Sequence, residues 1–237
     1  MGHLESLCSA AVSMTEPRFG VLAEDKTDCD TVRVLARRFL ARNNVSVHAR
    51  ADNGCGTLRR KAERWMRDLA RDGCNFIVII HDLDLGRNMQ LNDEEALRAR
   101  LNGFAVPAGV QRTICIPVEE MEAWWWSDPK LIKRIGKGKG SATPSPHLKM
   151  KPKEALQRLS CDVGGKPLYS TNDNPRLAEV VDLELCAQRC QSFADLRNFF
   201  VAVSSLASQS GDRDPQPRRQ PRSRVRKHSS RRGVSSR

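Results

Sequence analysis

The segment N-F-I-V-I-I-H-D-L-D, residues 75–84, carries the strongest strand signal in the sequence. It contains a run of β-branched residues, which favour extended backbone. Because the apolar run is nearly continuous, it predicts a strand buried on both faces, as in a parallel sheet. The strand ends in His81, Asp82, Leu83 and Asp84. The segment therefore predicts a buried strand that delivers two acids at its carboxyl end.

The residues on both sides of this strand predict alternating strands and helices. The predicted strands are R-F-G-V-L-A-E at 18–24, then 45–49, 75–80 and 112–118. The predicted helices between them span 28–42, 57–71 (with Thr57 as a cap) and 93–101. This order indicates an α/β fold with a mainly parallel, four-stranded sheet. Right-handed crossovers place the carboxyl ends of such strands at one edge, where ligands bind in open α/β sheets.

The second half of the chain has a different pattern. Helices are predicted at 119–128, 152–159, 175–186 and 192–206, with a Gly/Lys/Ser/Pro-rich loop at 136–146. We therefore divide the chain into four segments: an N-terminal extension at 1–14, an α/β core at 15–128, a helical, loop-rich part at 129–207, and a basic tail at 208–237.

The charge of the chain points to polyanionic partners. Its net charge is +12 and its pI is about 9.7. Most of this charge lies in the tail, which lacks large apolar residues and is predicted to be disordered. Two interpretations stay open for the tail, a solubilising segment or a phosphate-binding arm. The arm would use Arg218, Arg219, Arg222 and Arg224.

The cysteines and the hydropathy pattern indicate a cytoplasmic protein. The eight cysteines are scattered and form no C-x-x-C pair, which favours a reducing compartment over a disulfide framework or a zinc site. No stretch approaches the length of a membrane span, and the N-terminus has no signal-peptide pattern.

Four acids are predicted to meet at the carboxyl edge of the sheet. Glu24 ends the first strand, Asp28 lies at the entrance of the next helix, and Asp82 and Asp84 end the third strand. Residues two apart in an extended segment face the same way, so the two aspartates repel each other unless a cation neutralises them. Oxygen ligands suit Mg²⁺ or Mn²⁺. Taken singly, Asp28 fits a helix N-cap, Glu24 a solvated acid and the aspartate pair a turn.

These stretches resemble the motifs of Toprim domains, which occur in topoisomerases, primases and nucleases. L-A-E-D-K-T-D at 22–28 resembles the first motif, and I-V-I-I-H-D-L-D at 77–84 resembles the second, Asp-x-Asp motif. The resemblance implies a Rossmann-like sheet, Mg²⁺ binding and cleavage or transfer of phosphodiesters. It implies that Glu24 is a metal ligand or general acid/base, and that Asp82 and Asp84 are metal ligands.

A narrower resemblance covers roughly 18–200. V-E-E-M-E-A-W-W-W-S-D at 118–128, P-K-E-A-L at 152–156 and Q-S-F-A-D-L at 191–196 resemble small stand-alone Toprim-like bacterial proteins, related to nucleases of the overcoming-lysogenisation-defect type. These are often encoded beside ATPases and associated with phage defence. The resemblance implies an ATPase partner and an extra ligand at Glu122, with Glu119 as the rival. The chain departs from this pattern after Tyr169, where Thr171 and Asn172 stand in place of a lysine.

Several further residues are candidates for a functional role, but each of them also has a simpler structural explanation. Two of the three residues Trp124, Trp125 and Trp126 are predicted to lie in the core, and the third to stack on a base or a partner. Lys137 and Lys139 in G-K-G-K-G either touch substrate phosphates or belong to a mobile linker. Lys153 either places charge near the scissile phosphate or is an exposed lysine at a helix start. His81 is predicted to be structural or hydrogen-bonded.

The function expected from these residues is a Mg²⁺-dependent nuclease acting on DNA or RNA, with an ATPase partner and no membrane contact. No Walker motif is present, so ATP hydrolysis would come from the partner. One alternative is a non-catalytic nucleic-acid-binding or regulatory subunit on the same scaffold. Another is a haloacid-dehalogenase-like phosphatase, although Leu85 and Gly86 replace the hydroxyl residue expected after its Asp-x-Asp pair. A homo-oligomer stays open.

Overall fold

A computed structural model describes residues 17–52, 54–84 and 91–211 of the chain. Within these residues the strands are Phe19–Ala23 (β1), Val47–Ala51 (β2), Phe76–Ile80 (β3) and Gln111–Cys115 (β4). The helices are Lys26–Phe39 (α1), Cys55–Arg71 (α2), Glu94–Asn102 (α3), Pro129–Ile135 (α4), Pro152–Leu159 (α5), Asn174–Ala178 (α6), Leu183–Arg189 (α7) and Gln191–Gly211 (α8). Short 3-10 helices span Met121–Ser127, Pro146–Leu148 and Thr171–Asp173.

The four strands form one parallel sheet in the order β2-β1-β3-β4. The predicted α/β class and the parallel sheet are therefore confirmed, and the fold is Rossmann-like. Strands β1 and β3 are neighbours in the centre, with Phe19 opposite Phe76 and Leu22 opposite Ile79. Their carboxyl ends lie side by side, so the residues that follow them meet at one edge of the sheet.

Both faces of the sheet are covered, which accounts for the nearly continuous apolar strands. Phe19, Val21 and Ala23 of β1 pack with α1 and the C-terminal helices. Leu22 packs on the other face with α2 and α3. Gly20 allows α2 to pack closely against this strand, because a Cβ at this position would lie 2.7 Å from the Leu69 Cδ1.

The C-terminal helices complete the first of these two cores. Phe193, Leu196 and Phe200 of α8 are fully buried, and the Phe200 ring lies 4.9 Å from the Phe19 ring between centroids. The helical second half thus covers the sheet face that α1 leaves open. No helix in the described ranges is long and apolar enough to cross a membrane.

The starts of two helices differ from the predictions. Helix α1 begins at Lys26 rather than 28, because the Asp25 carboxylate accepts from the Asp28 backbone N–H at 2.9 Å and caps the helix. Asp28 therefore lies inside the first turn and is not the N-cap. Helix α2 begins at Cys55 instead of Thr57, after a turn in which Gly54 adopts a φ of 90°.

Other predicted boundaries were also wrong. The predicted helix 175–186 is two helices, α6 and α7, because Asp182 caps a new helix by accepting from the Leu185 N–H at 3.0 Å. The predicted helix 119–128 is the 3-10 helix Met121–Ser127. Strand β2 begins two residues later than predicted, since its pairing with β1 starts at Val47.

Candidate active site

The sheet brings the predicted acids together at its carboxyl edge. Glu24 follows β1 directly, and Asp28 lies in the first turn of α1. After β3 the chain stays extended: the His81 N–H donates to the Cys115 carbonyl at 3.1 Å, and the Leu83 N–H to the Pro117 carbonyl at 2.9 Å. Leu83 is buried, whereas Asp82 and Asp84 are half-buried and line the same cavity.

The acids form one electrostatic cluster. Burial raises the pKa of Asp28 to about 8, with additional contributions from the charges of Asp25, Glu122 and Glu24. Burial also raises the pKa of Asp82 well above its usual range, assisted by Asp28, Glu122 and Glu24. Asp28, Asp82 and Glu122 therefore resist ionisation together, the expected behaviour of like charges in a shared, poorly hydrated site.

Within the described ranges, no Lys or Arg forms an ion pair with Asp28, Asp82 or Glu122. The described residues also contain no three His, Cys, Asp or Glu side chains arranged as a metal-binding group. The structure thus shows a cluster of interacting carboxylates in which Asp28, Asp82 and Glu122 form no direct ion pair with a described Lys or Arg, and it does not show a closed coordination shell.

Glu122 is held from behind by a buried hydrogen-bond network. Its Oε1 accepts from the Asn174 Nδ2 at 3.0 Å and from the Tyr169 hydroxyl at 3.3 Å. The Asn174 Oδ1 accepts from the same hydroxyl at 2.7 Å and from the Trp125 indole N–H at 2.9 Å. Burial raises the pKa of Glu122, although the Asn174 hydrogen bond opposes the shift. The network fixes the direction in which this carboxylate faces the cluster.

Replacing Tyr169 by Phe should lower the free energy of unfolding by about 1–2 kcal/mol, because Asn174 and Glu122 lose a buried donor. Urea unfolding followed by tryptophan fluorescence measures this change. The half-exposed Leu168 offers a control, since Leu168→Ala should change stability by no more than about 0.5 kcal/mol. A Tyr169→Phe protein as stable as the wild type would show that the hydroxyl contributes nothing to the network.

Lys153 lies beside the cluster but is already paired. Its Nζ lies 2.5 Å from the Glu120 Oε1, and its backbone N–H donates to the Glu120 Oε2 at 3.2 Å. Burial lowers the pKa of Lys153, but Glu120, Glu122 and Glu154 outweigh burial, so the pKa ends above its usual value. Lys153 therefore remains charged and is half-buried rather than exposed.

Glu119 serves a different purpose from Glu122. It has a φ of 62° and is buried, and its Oε1 accepts from the Lys151 N–H at 2.7 Å. Lys151 has a φ of 47°, so the two left-handed residues are bonded to each other. Of the rivals, Glu122 joins the Asp28–Asp82 cluster and Glu119 anchors the start of α5.

His81 is buried and hydrogen-bonded, as predicted. Its Nδ1 lies 2.8 Å from the Asp82 carbonyl oxygen and 3.2 Å from the Glu24 Oε1. Burial lowers the pKa of His81, so the imidazole is neutral at physiological pH. A neutral ring that donates from Nδ1 orients the segment from which Asp82 projects.

A cavity of about 730 Å³ opens beside Asp82 and Asp84. Basic side chains share its walls with these acids: Arg59 from α2, Arg100 from α3, and Lys151. Positive and negative groups around one cavity suit a ligand that carries phosphates and binds next to a cation. The predicted stacking tryptophan plays no part here.

The prediction that one of the three consecutive tryptophans stacks on a base or a partner was wrong, because all three are buried. The Trp124 indole N–H donates to the Ser192 hydroxyl at 3.0 Å, that of Trp125 to Asn174, and that of Trp126 to the Pro152 carbonyl at 3.2 Å. The 3-10 helix directs successive side chains about 120° apart, so each ring enters a different part of the core.

The G-K-G-K-G segment is a compact turn at the end of α4. The Gly138 N–H donates to the Lys133 carbonyl at 2.6 Å, and a Cβ at Gly140 would lie 2.7 Å from the Leu159 Cδ1. Lys137 and Lys139 are exposed on this turn, and neither lines the cavity at Asp82 among the described residues. Arg218, Arg219, Arg222 and Arg224 lie outside the described residues.

Asn174 and the cavity residues Arg59, Arg100 and Lys151 were not predicted from the sequence. No local pattern marks Asn174, because two of its three partners, Trp125 and Glu122, are 49 and 52 positions away. A signal did exist for Arg59, since it lies on the first turns of a helix that starts at the acidic edge.

The family comparison spans the whole cluster. A family model described as a domain of unknown function, DUF4276, matches residues 23–200. No curated protein and no solved structure matches the chain. The matched range begins just before Glu24 and ends in α8, so it contains all five clustered acids and covers well over half of the sequence. The chain therefore belongs to the DUF4276 family.

Proposed function

We propose that this protein is a divalent-metal-dependent nuclease that cleaves phosphodiesters at the carboxylate cluster. One observation carries the proposal: Asp82 and Asp84 follow β3 and line one cavity, while Glu24, Asp28 and Glu122 come to the same edge of the sheet, where desolvation and the like charges raise the pKa of Asp28 and Asp82. A protein maintains such a cluster at a cost in stability, so a functional reason for it is expected.

The donor set fits Mg²⁺ or Mn²⁺. All five groups are carboxylates, which both cations prefer, and no Lys or Arg in the described ranges forms an ion pair with Asp28 or Asp82. Asp82, Asp84 and Asp28 would hold the cation, with Glu24 and Glu122 as further ligands. The cation would stabilise negative charge on the attacking and leaving oxygens of the phosphodiester.

The residues around the cluster complete the proposed mechanism. Glu24 follows β1, its Oε1 lies 3.2 Å from the His81 Nδ1, and it would hold or accept a proton at its carboxylate. Arg59 and Arg100 would bind non-bridging phosphate oxygens in the cavity, which orients the scissile bond. Lys153 would keep Glu120 in place and add a positive charge beside Glu122.

The Toprim resemblance extends this proposal to a cellular setting. We propose that the protein acts in the cytoplasm as the effector of a phage-defence system, with DNA or RNA as substrate and an ATPase as partner. The described cysteines are free, which is consistent with a reducing compartment.

The proposal is tested by incubating the purified full-length chain with plasmid DNA, single-stranded DNA and structured RNA in Mg²⁺, Mn²⁺ or EDTA. A variant with Asp82→Ala and Asp84→Ala is the control. Cleavage that requires the cation and both aspartates would support the nuclease and identify its polymer. A folded wild type that binds nucleic acid but never cleaves it would favour the regulatory subunit instead.

A further inference from the structure

Helix α2 carries an arginine ridge on its outer face. Arg60, Arg64, Arg67 and Arg71 follow the i, i+4, i+7, i+11 spacing, so at 100° per residue they fall within an arc of about 60°. All four are exposed. Leu58, Ala62, Trp65, Met66 and Leu69 face the opposite way and are buried under the sheet. The ridge is therefore the solvent face of an anchored helix.

The ridge keeps most of its positive charge. Helix α2 has six basic and two acidic residues, a net charge of +4. Arg71 lies 2.8 Å and Arg64 3.9 Å from the carboxylate of Asp68, and Arg60 donates to the Thr57 hydroxyl at 3.1 Å. Exposed ion pairs of this kind contribute little and are easily exchanged. Arg67 has no side-chain partner among the described residues.

The ridge is continuous with the candidate active site. Helix α2 starts at the acidic edge, where the Gly54 N–H donates to the Glu24 carbonyl at 3.2 Å. Arg59, in its second turn, lines the cavity with Asp82 and Arg100. From Arg60 to Arg71 the ridge then runs about 16 Å away from this edge. A polyanion lying along the ridge would enter the cavity at its end.

We propose that the arginine ridge of α2 binds the phosphate backbone of a nucleic-acid duplex and guides it to the carboxylate cluster. This inference rests on the proposed function, because it names the substrate class of that site. Charge complementarity and continuity with the cavity favour a polyanionic backbone. A duplex is favoured over a single strand because the four tryptophans and the tyrosine are all buried, which removes the stacking platforms typical of single-strand binding.

The test measures binding in EDTA, where cleavage does not interfere. Fluorescence anisotropy compares labelled DNA and RNA duplexes with the matching single strands. The ridge variant combines Arg60→Gln, Arg64→Gln, Arg67→Gln and Arg71→Gln in the full chain. The control variant removes the same charge from exposed arginines in the other layer: Arg37→Gln, Arg42→Gln, Arg158→Gln and Arg176→Gln. Circular dichroism and thermal melting verify that both variants are folded.

The ridge variant should bind duplex at least about tenfold more weakly, and the slope of log K against log salt should fall by about 3. The control should lose much less. Equal losses in the two variants, or no loss in the ridge variant, would overturn the proposal. Single strands bound as tightly as duplexes would overturn the duplex assignment. Binding of the protein to anionic lipid vesicles, but to no nucleic acid, would overturn the proposal and assign the ridge to a membrane surface instead.

These outcomes are separable from failure of the proposed function. If cation-dependent cleavage persists in the variant with Asp82→Ala and Asp84→Ala, the catalytic assignment fails whatever the ridge binds. If cleavage requires both aspartates but the ridge variant binds as the wild type does, only the ridge assignment fails.

Discussion

Replacing Asp82 by Asn should slow phosphodiester cleavage by about a thousandfold, which corresponds to roughly 4 kcal/mol of transition-state stabilisation. Asp82 is the acid that joins the two parts of the site. It interacts with Asp28, Glu122 and Glu24 in the cluster, and it also lines the cavity with Arg59 and Arg100. The amide keeps the shape of the side chain but removes the charge that would bind the cation.

The loss should come without unfolding. Because Asp82 is surrounded by like charges, the Asn variant should melt in EDTA at or above the temperature of the wild type. Asp195→Asn is the matched control, since Asp195 accepts from Gln191 on the surface of α8, and it should cleave normally. Wild-type cleavage by the Asp82→Asn variant would remove Asp82 from the catalytic site.

Replacing Asp28 by Asn should stabilise the metal-free protein at pH 8. The pKa of Asp28 is about 8 in the folded chain and close to its ordinary value in the unfolded chain. Between these values the folded state binds a proton that the unfolded state lacks, so the free energy of unfolding falls as pH rises from about 4 to about 8. Above that range the full cost of burying the charge among Asp25, Glu122, Glu24 and Asp82 is present.

The amide cannot ionise, so the variant should show a flatter dependence on pH. At pH 8 in EDTA we expect it to gain on the order of 2 kcal/mol, which raises the Tm by about 4–8 °C for a chain of this size. Adding Mn²⁺ should raise the Tm of the wild type by mass action and leave the variant nearly unchanged. Differential scanning calorimetry from pH 5 to pH 9 measures both effects.

Asp30→Asn provides the control on the same helix, because Asp30 is paired with Arg33. It should neither stabilise the metal-free protein nor abolish the response to Mn²⁺. An Asp28→Asn protein that is less stable than the wild type at pH 8 would mean that Asp28 is satisfied in the fold and carries no electrostatic cost.

Local patterns were sufficient to predict the sheet and the first part of the site. The apolar run before His81 predicts a strand buried on both faces, and β3 is such a strand. Glu24 and Asp82 directly follow neighbouring parallel strands, so the order of elements alone predicts that they meet. The prediction needed no side-chain detail, because strand ends are placed by backbone pairing.

Contacts between distant segments could not be predicted in this way. The tryptophan run was expected to leave one ring exposed, because an α-helix cannot bury three consecutive large side chains on one face. The chain instead forms a 3-10 helix, and its indole N–H groups donate hydrogen bonds to Ser192, Asn174 and Pro152. These partners come from the C-terminal half, and the sequence near Trp124 contains no sign of them.

The predicted start of α1 was wrong for a more local reason. Two aspartates, Asp25 and Asp28, precede or enter α1, and either can cap a helix. The structure uses Asp25, which leaves Asp28 inside the first turn and facing the cluster. Asp28 interacts electrostatically with Glu122, a residue 94 positions later, and the spacing of the two aspartates contains no sign of this interaction.

The most direct test of the cation site is a calorimetric titration of Mn²⁺ into the full-length protein and into the Asp82→Asn variant. Two buffers with different protonation enthalpies reveal any protons released on binding. We predict saturable binding by the wild type with proton release, because Asp28 and Asp82 must ionise to hold the cation, and no such binding by the variant. Identical binding by both proteins, or none by a folded wild type, would contradict a cation site at the carboxylate cluster.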